Sequence, residues 1–99
     1  MNDLAAAIAS DARLYILKEL AAQTDGRLNV ILLQRLLEQR YGINRARDWI
    51  ETQMRKLADL GAANLIEAGL LVAEITRDGR DHLASRAVIV GITRPSEVE

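Results

Sequence analysis

The feature that most restricts this chain is a pair of helical patterns separated by four residues near its middle. Residues 31–40 carry Leu33, Leu36 and Leu37 on one helical face, and Asn29 stands where a side-chain oxygen can cap the first turn. Tyr41, Gly42, Ile43 and Asn44 then break the pattern. Gly42 suits the left-handed position just past a helix, Ile43 is placed for the apolar contact that accompanies it, and Asn44 can cap the next helix. Over residues 45–60, Ala46, Trp49, Ile50, Met54, Leu57 and Leu60 recur at the spacing of one buried face. Two helices joined by a short, glycine-containing turn form the helix-turn-helix motif.

The flanks add three elements. Residues 3–23 place Leu14, Leu17, Leu20 and Ala21 along one helical face, and Thr24, Asp25 and Gly26 stop the pattern. Ser10 or Asp11 can cap a fresh start, which leaves open whether residues 4–9 form a separate short helix. Beyond Gly61, residues 62–67 and 70–76 are short apolar runs around Ala68 and Gly69, with Leu71, Ala73 and Ile75 inward and Glu74 outward. That is the pattern of a β-hairpin, although the Ala, Leu and Glu content keeps a helical reading open. Thr76 can cap a fourth helix over residues 77–87 with Leu83, Ala84 and Ala87 inward, and residues 88–99, with Pro95, read as an extended tail. The expectation is one domain over residues 1–99, its core spanning 10–87 and its C-terminal tail 88–99. Its class is mainly α with a small β-hairpin, in the order α-α-α-β-β-α.

Apolar residues make up 49% of the chain and charged residues 27%, a balance that folds and excludes the signature of disorder. The absence of cysteine removes disulfides, thiolate nucleophiles and thiolate metal sites together. Met1, Asn2, Asp3 and Leu4 do not open a signal peptide and no apolar run approaches membrane length, so the expected location is cytoplasmic. With a net charge of −1 the molecule is not polycationic, yet its charge is uneven. Residues 35–56 hold six basic against three acidic side chains, whereas residues 57–99 hold four against seven. Any surface for a phosphate backbone is therefore local to the middle segment.

On the third helix the apolar stripe leaves Arg45, Arg47, Asp48, Glu51, Thr52, Arg55, Lys56 and Asp59 facing outward. Arg45 or Arg47 can pair with a guanine edge or a phosphate, Arg55 and Lys56 are placed for phosphates, and Asn44 at the cap leaves the helix N-terminus open to another. A plain solvated face accounts for the same residues, with Arg47–Glu51 and Glu51–Arg55 as ordinary pairs four residues apart, and Asp48 and Glu51 repel phosphate. The hairpin tip, residues 67–70, carries no Lys or Arg for a minor groove. Trp49 lies on the inward stripe and reads as core packing rather than a base-stacking residue. His82 with Asp78 and Asp81 can be drawn as a metal site, but a charged helix surface explains them better, so no metal or cofactor is expected. Ser10, Ser85 and Ser96 lack an activating partner, so no enzyme is expected either. Leu4 and Ile8 at one end, and Val88, Ile89 and Val90 at the other, are candidates for a homodimer interface, unless they only cap the monomer's own core.

Several phrases resemble a known family. Ala9-Ser10-Asp11-Ala12-Arg13-Leu14-Tyr15-Ile16-Leu17 resembles the opening helix of ArsR- and MarR-like regulators. Leu57-Ala58-Asp59-Leu60-Gly61 resembles the end of their recognition helix, and Ile75-Thr76-Arg77-Asp78-Gly79-Arg80 the step from wing to final helix. Gly79-Arg80-Asp81 followed by Gly91-Ile92-Thr93-Arg94-Pro95 is similar to the small winged-helix proteins of Mu-like phages. The resemblance implies a winged helix-turn-helix that binds DNA sequence-specifically as a dimeric transcription regulator of phage or bacterial origin. The alternative is a winged-helix module that binds another protein in phage packaging or assembly. The paired-cysteine metal site of the ArsR branch has no counterpart in a chain without cysteine.

Overall fold

The Ala- and Leu-rich start of the chain forms one unbroken helix, α1 (Asp3–Ala21), in the computed structural model, which describes residues 3–98. Ala12, Leu14, Ile16, Leu17 and Leu20 are fully buried, so other elements cover this helix on several sides. Ser10 and Asp11 do not begin a second helix. Their side chains are used within the tertiary structure, Ser10 Oγ accepting from Arg13 Nη2 at 3.3 Å and Asp11 Oδ1 from the Thr93 hydroxyl.

A short strand that the sequence pattern did not reveal, β1 (Arg27–Asn29), comes next and leads directly into α2 (Val30–Tyr41). Asn29 caps α2 as expected, its Oδ1 accepting the Leu32 N–H at 2.9 Å. Gly42 takes φ +69° and, with Ile43 N–H bonded to Leu37 O at 3.0 Å, closes the helix on a left-handed residue. Ile43 turns back onto the core. The next helix, α3 (Arg47–Asp59), starts two residues later than its pattern suggested. Its cap is Ala46, which has no side-chain oxygen, while Asn44 stays in the turn, so the expected Asn44 cap is not formed. Ala46, expected inward, is exposed for the same reason.

The hairpin forms as β2 (Ala63–Ala68) and β3 (Leu70–Ile75). Leu71, Ala73 and Ile75 are buried at alternate positions of β3, which rules out the helical reading of this stretch. β1 pairs antiparallel with the other side of β3, Leu28 opposite Ala73, giving a three-stranded sheet in the order β1-β3-β2. At the base of the hairpin Thr76 Oγ1 donates to Gly61 O at 2.7 Å and accepts the Gly79 N–H at 3.1 Å, capping α4 (Arg77–Leu83). A Cβ on Gly79 would run into the Ala62 carbonyl oxygen, so a glycine is what lets α4 sit this close to the hairpin.

The last helix stops four residues earlier than expected. Ser85 adopts φ +60°, and the bonds Ser85 N–H to His82 O and Arg86 N–H to Asp81 O close α4 there. Ala84 and Ala87, expected inward, are exposed. The chain then turns back across α1 instead of trailing away. Ile92 is buried and Ile89 packs on the core, Thr93 N–H bonds to Ser10 O at 3.3 Å, and Arg13 Nε donates to Gly91 O at 2.8 Å. A short 3-10 turn, Pro95–Glu97, comes last. His82 is not on a charged surface, as its neighbours suggested, but 1% exposed and bonded at both ring nitrogens. Its Nδ1 accepts the Ile89 N–H at 3.1 Å, so Nε2 carries the proton and donates to Thr93 O at 3.0 Å.

Candidate nucleic-acid interface

Helix α3 divides cleanly into a packed side and a free side. Ile50, Met54 and Leu57 are fully buried against α1, α2 and the sheet. Gln53, between them on the same side, is also buried, and its Oε1 accepts from Arg13 Nη1 at 2.7 Å. One guanidinium thus links α1 to the inner side of α3 and to the returning C-terminal segment. Its burial lowers the Arg13 pKa from the ordinary arginine value, yet three acceptors on Gly91, Gln53 and Ser10 serve the charge. The brace joins positions 40 and 78 residues apart, which no local pattern shows, although Gln53 sits within the inward stripe and an amide there needs a buried partner.

The opposite side of α3 and the turn before it are open to solvent. Asn44, Arg45, Arg47, Asp48, Thr52, Arg55, Lys56 and Asp59 are all exposed, and Glu51 is partly so. The six residues anticipated for DNA contact, Asn44, Arg45, Arg47, Thr52, Arg55 and Lys56, therefore share the exposed side of one helix and its leading turn. Several are already engaged within the protein. Arg45 lies 4.8 Å from the centre of the Trp49 ring, a cation–π contact, and its carbonyl accepts from Gln34 Nε2 at 3.0 Å. Trp49, expected wholly inward, is half-buried, with part of the ring on the core. Arg47 Nε meets Glu51 Oε2 at 3.0 Å, and Arg55 Nη2 meets Glu67 Oε1 on β2 at 3.6 Å. The hairpin thus contributes an acid, not a base, beside α3. Asp48 and Lys56 make no side-chain hydrogen bond or ion pair among the described residues.

The anticipated interface residues at the chain ends are distributed differently. Leu4, Val88 and Val90 are 70%, 60% and 86% exposed and Ile8 is partly buried, whereas Ile89 points inward to the core. Among the described residues there is no group of three or more His, Asp or Glu side chains arranged to hold a metal ion, and no helix is long and apolar enough to cross a membrane.

No protein-family model matches the chain, and no curated protein sequence matches it. Among solved structures it is similar to Sco5413, a MarR family transcriptional regulator from Streptomyces coelicolor, with a TM-score of 0.61 at 20% identity. The similarity covers 71% of this chain and 46% of that one, so this chain spans less than half the length of the regulator it matches. A likeness of that extent establishes the fold as a winged helix-turn-helix, mainly helical with a small antiparallel sheet.

Proposed function

We propose that this protein binds DNA sequence-specifically as a dimeric transcription regulator of bacterial or phage origin, with α3 as its recognition helix. The observation that carries this reading is the exposed side of α3, where Arg47, Arg55 and Lys56 project from a helix whose other side is fixed in the core. A recognition helix needs that division, since base edges are read only by side chains held on a rigid frame. The fold shared with a MarR family regulator supports it. Arg55 and Lys56 neutralise phosphate, Arg47 meets a base edge or phosphate, and Arg45 approaches the backbone from the turn. Leu4, Ile8, Val88 and Val90 supply apolar surface for the second subunit, whereas Ile89 packs on this chain's own core.

Fluorescence anisotropy over random and genomic duplexes at two salt concentrations tests the reading. Salt-sensitive binding that weakens on Arg47→Ala, with circular dichroism unchanged, is the expected result. No salt-sensitive binding at micromolar protein overturns it. A second reading, a module that binds another protein in phage packaging or assembly, is favoured by the acid at the hairpin tip and by the apolar side chains exposed at both ends of the chain.

A further inference from the structure

The exposed side of α3 consists of two rows that differ in what they leave free. In one row Arg47, Glu51, Arg55 and Asp59 stand four residues apart; both cations already have carboxylate partners in Glu51 and Glu67, and Asp59 sits in the last turn, away from the N-terminal part of the helix that meets base edges. In the other row stand Asp48, Thr52 and Lys56. The Thr52 hydroxyl donates to the Asp48 backbone carbonyl at 3.0 Å, and among the described residues neither the Asp48 carboxylate nor the Lys56 ammonium has a partner. An acid in the first turn has a structural use as a cap for free N–H groups or through the helix dipole. Asp48 makes no capping bond, so its structural use is confined to the helix dipole, a weak effect at an exposed site.

An unpaired carboxylate on a face that meets phosphates weakens binding to every sequence alike. It is compensated only where the groove offers a donor. In the major groove the donors are cytosine N4 and adenine N6, and adenine sets its N7 acceptor beside N6, where a carboxylate is repelled. Resting on the DNA-binding reading above, we propose that Asp48 is a specificity-determining residue that accepts a hydrogen bond from the N4 amine of one cytosine in each half-site. Lys56 lies eight residues on, about 12 Å along the helix, so it reaches a phosphate three to four base pairs away and holds Asp48 in register. The carboxylate thus rejects wrong sequences more than it strengthens the right one.

Selection of duplexes from a random pool with the full chain, followed by anisotropy on the selected site and its single-base variants, tests this. The wild type is expected to fix one cytosine per half-site, and replacing that cytosine weakens binding about fivefold or more. Asp48→Ala is expected to lose the preference at that position alone while binding random DNA more tightly than the wild type. Asp48→Asn, nearly the same shape, moves the preference toward adenine and guards against a folding defect in the alanine variant. Retention of the cytosine preference by both variants overturns the assignment, as does wild-type binding that is salt-sensitive but equal for all sequences. Absence of salt-sensitive binding to any DNA overturns the DNA reading itself, which keeps the two failures distinct.

Discussion

Glu19 is the residue on which the joint between α1 and α2 turns. The residue is 5% exposed, and its carboxylate would be costly to bury alone, but it accepts the Tyr41 hydroxyl at 2.7 Å and pairs with Arg40 at 3.2 Å. Tyr41 in turn stacks on Tyr15, with ring centres 4.1 Å apart and planes within 9°. Burial, then the bond to the Glu19 carboxylate and the negative charge it carries, push the Tyr41 phenol well above the usual tyrosine value near 10, against a smaller opposing effect of Arg40. The folded state therefore holds this proton more tightly than the unfolded chain. The resulting stability is complete below about pH 10 and is lost as pH rises beyond it. Urea midpoints are expected to fall steeply above pH 10 in the wild type. Tyr41→Phe lowers stability by about 1–2 kcal/mol at neutral pH, since Glu19 loses a buried donor, and flattens the alkaline fall to the part due to Tyr15, whose pKa burial also raises. An equally steep alkaline fall in the variant would count against this account.

At the scale of elements, α4 is defined by two positions with opposite needs. Ser85 ends the helix at φ +60°, a conformation that costs a non-glycine residue about 1 kcal/mol, so Ser85→Gly is expected to raise stability by roughly that amount. Gly79→Ala acts in the other direction. Its methyl meets the Ala62 carbonyl and comes within 2.9 Å of Ile75, so a loss of about 2 kcal/mol is expected, and thermal denaturation of the two variants should show shifts of opposite sign. These termini also mark where sequence reading succeeds and fails. The Asn29 cap, the Gly42 turn and the stripe of Ile50, Met54 and Leu57 are local signals, resolved within one or two helical turns, and they were legible. So was the outward direction of Arg47, Thr52, Arg55 and Lys56, which derives from that stripe. β1 was not, because three residues cannot show an alternation and its strand state exists only through pairing with β3, Arg27 against Glu74. Asn44 has the right chemistry for a cap, but the chain runs on to Ala46 before turning helical, with Gln34 holding the Arg45 carbonyl on the way. The return of the tail over α1 depends on Arg13, His82 and Asp11, all distant in sequence, so composition alone suggested a longer α4 and a free end. The ion pair of Arg55 with Glu67 was hidden for the same reason.

For the whole molecule, a net charge of −1 means that no general field draws DNA to the surface, and on the DNA-binding reading the affinity comes from local cations, those of α3 first among them. On that reading two of them exchange a carboxylate for a phosphate. Arg47–Glu51 and Arg55–Glu67 are surface pairs, with the arginine side chains 46% and 55% exposed, so each exchange costs well under about 1 kcal/mol. What remains is counterion release. If Arg47, Arg55 and Lys56 each neutralise one phosphate, one protomer gives a slope of about −3 in log affinity against log salt, and a dimer on two half-sites about −5 to −6. The slope therefore counts subunits. Leu4 and Val90, exposed hydrophobic side chains from opposite ends of the chain, are the places to alter it. The double variant Leu4→Ser, Val90→Ser should sediment as a monomer and show about half the wild-type slope, with the same cytosine preference within a single half-site. A wild type that sediments as a monomer at tens of micromolar while giving the smaller slope would leave α3 as the reading element and remove the dimer. Equal slopes in a dimeric wild type and a monomeric variant would instead mean that only one α3 of the pair meets the DNA.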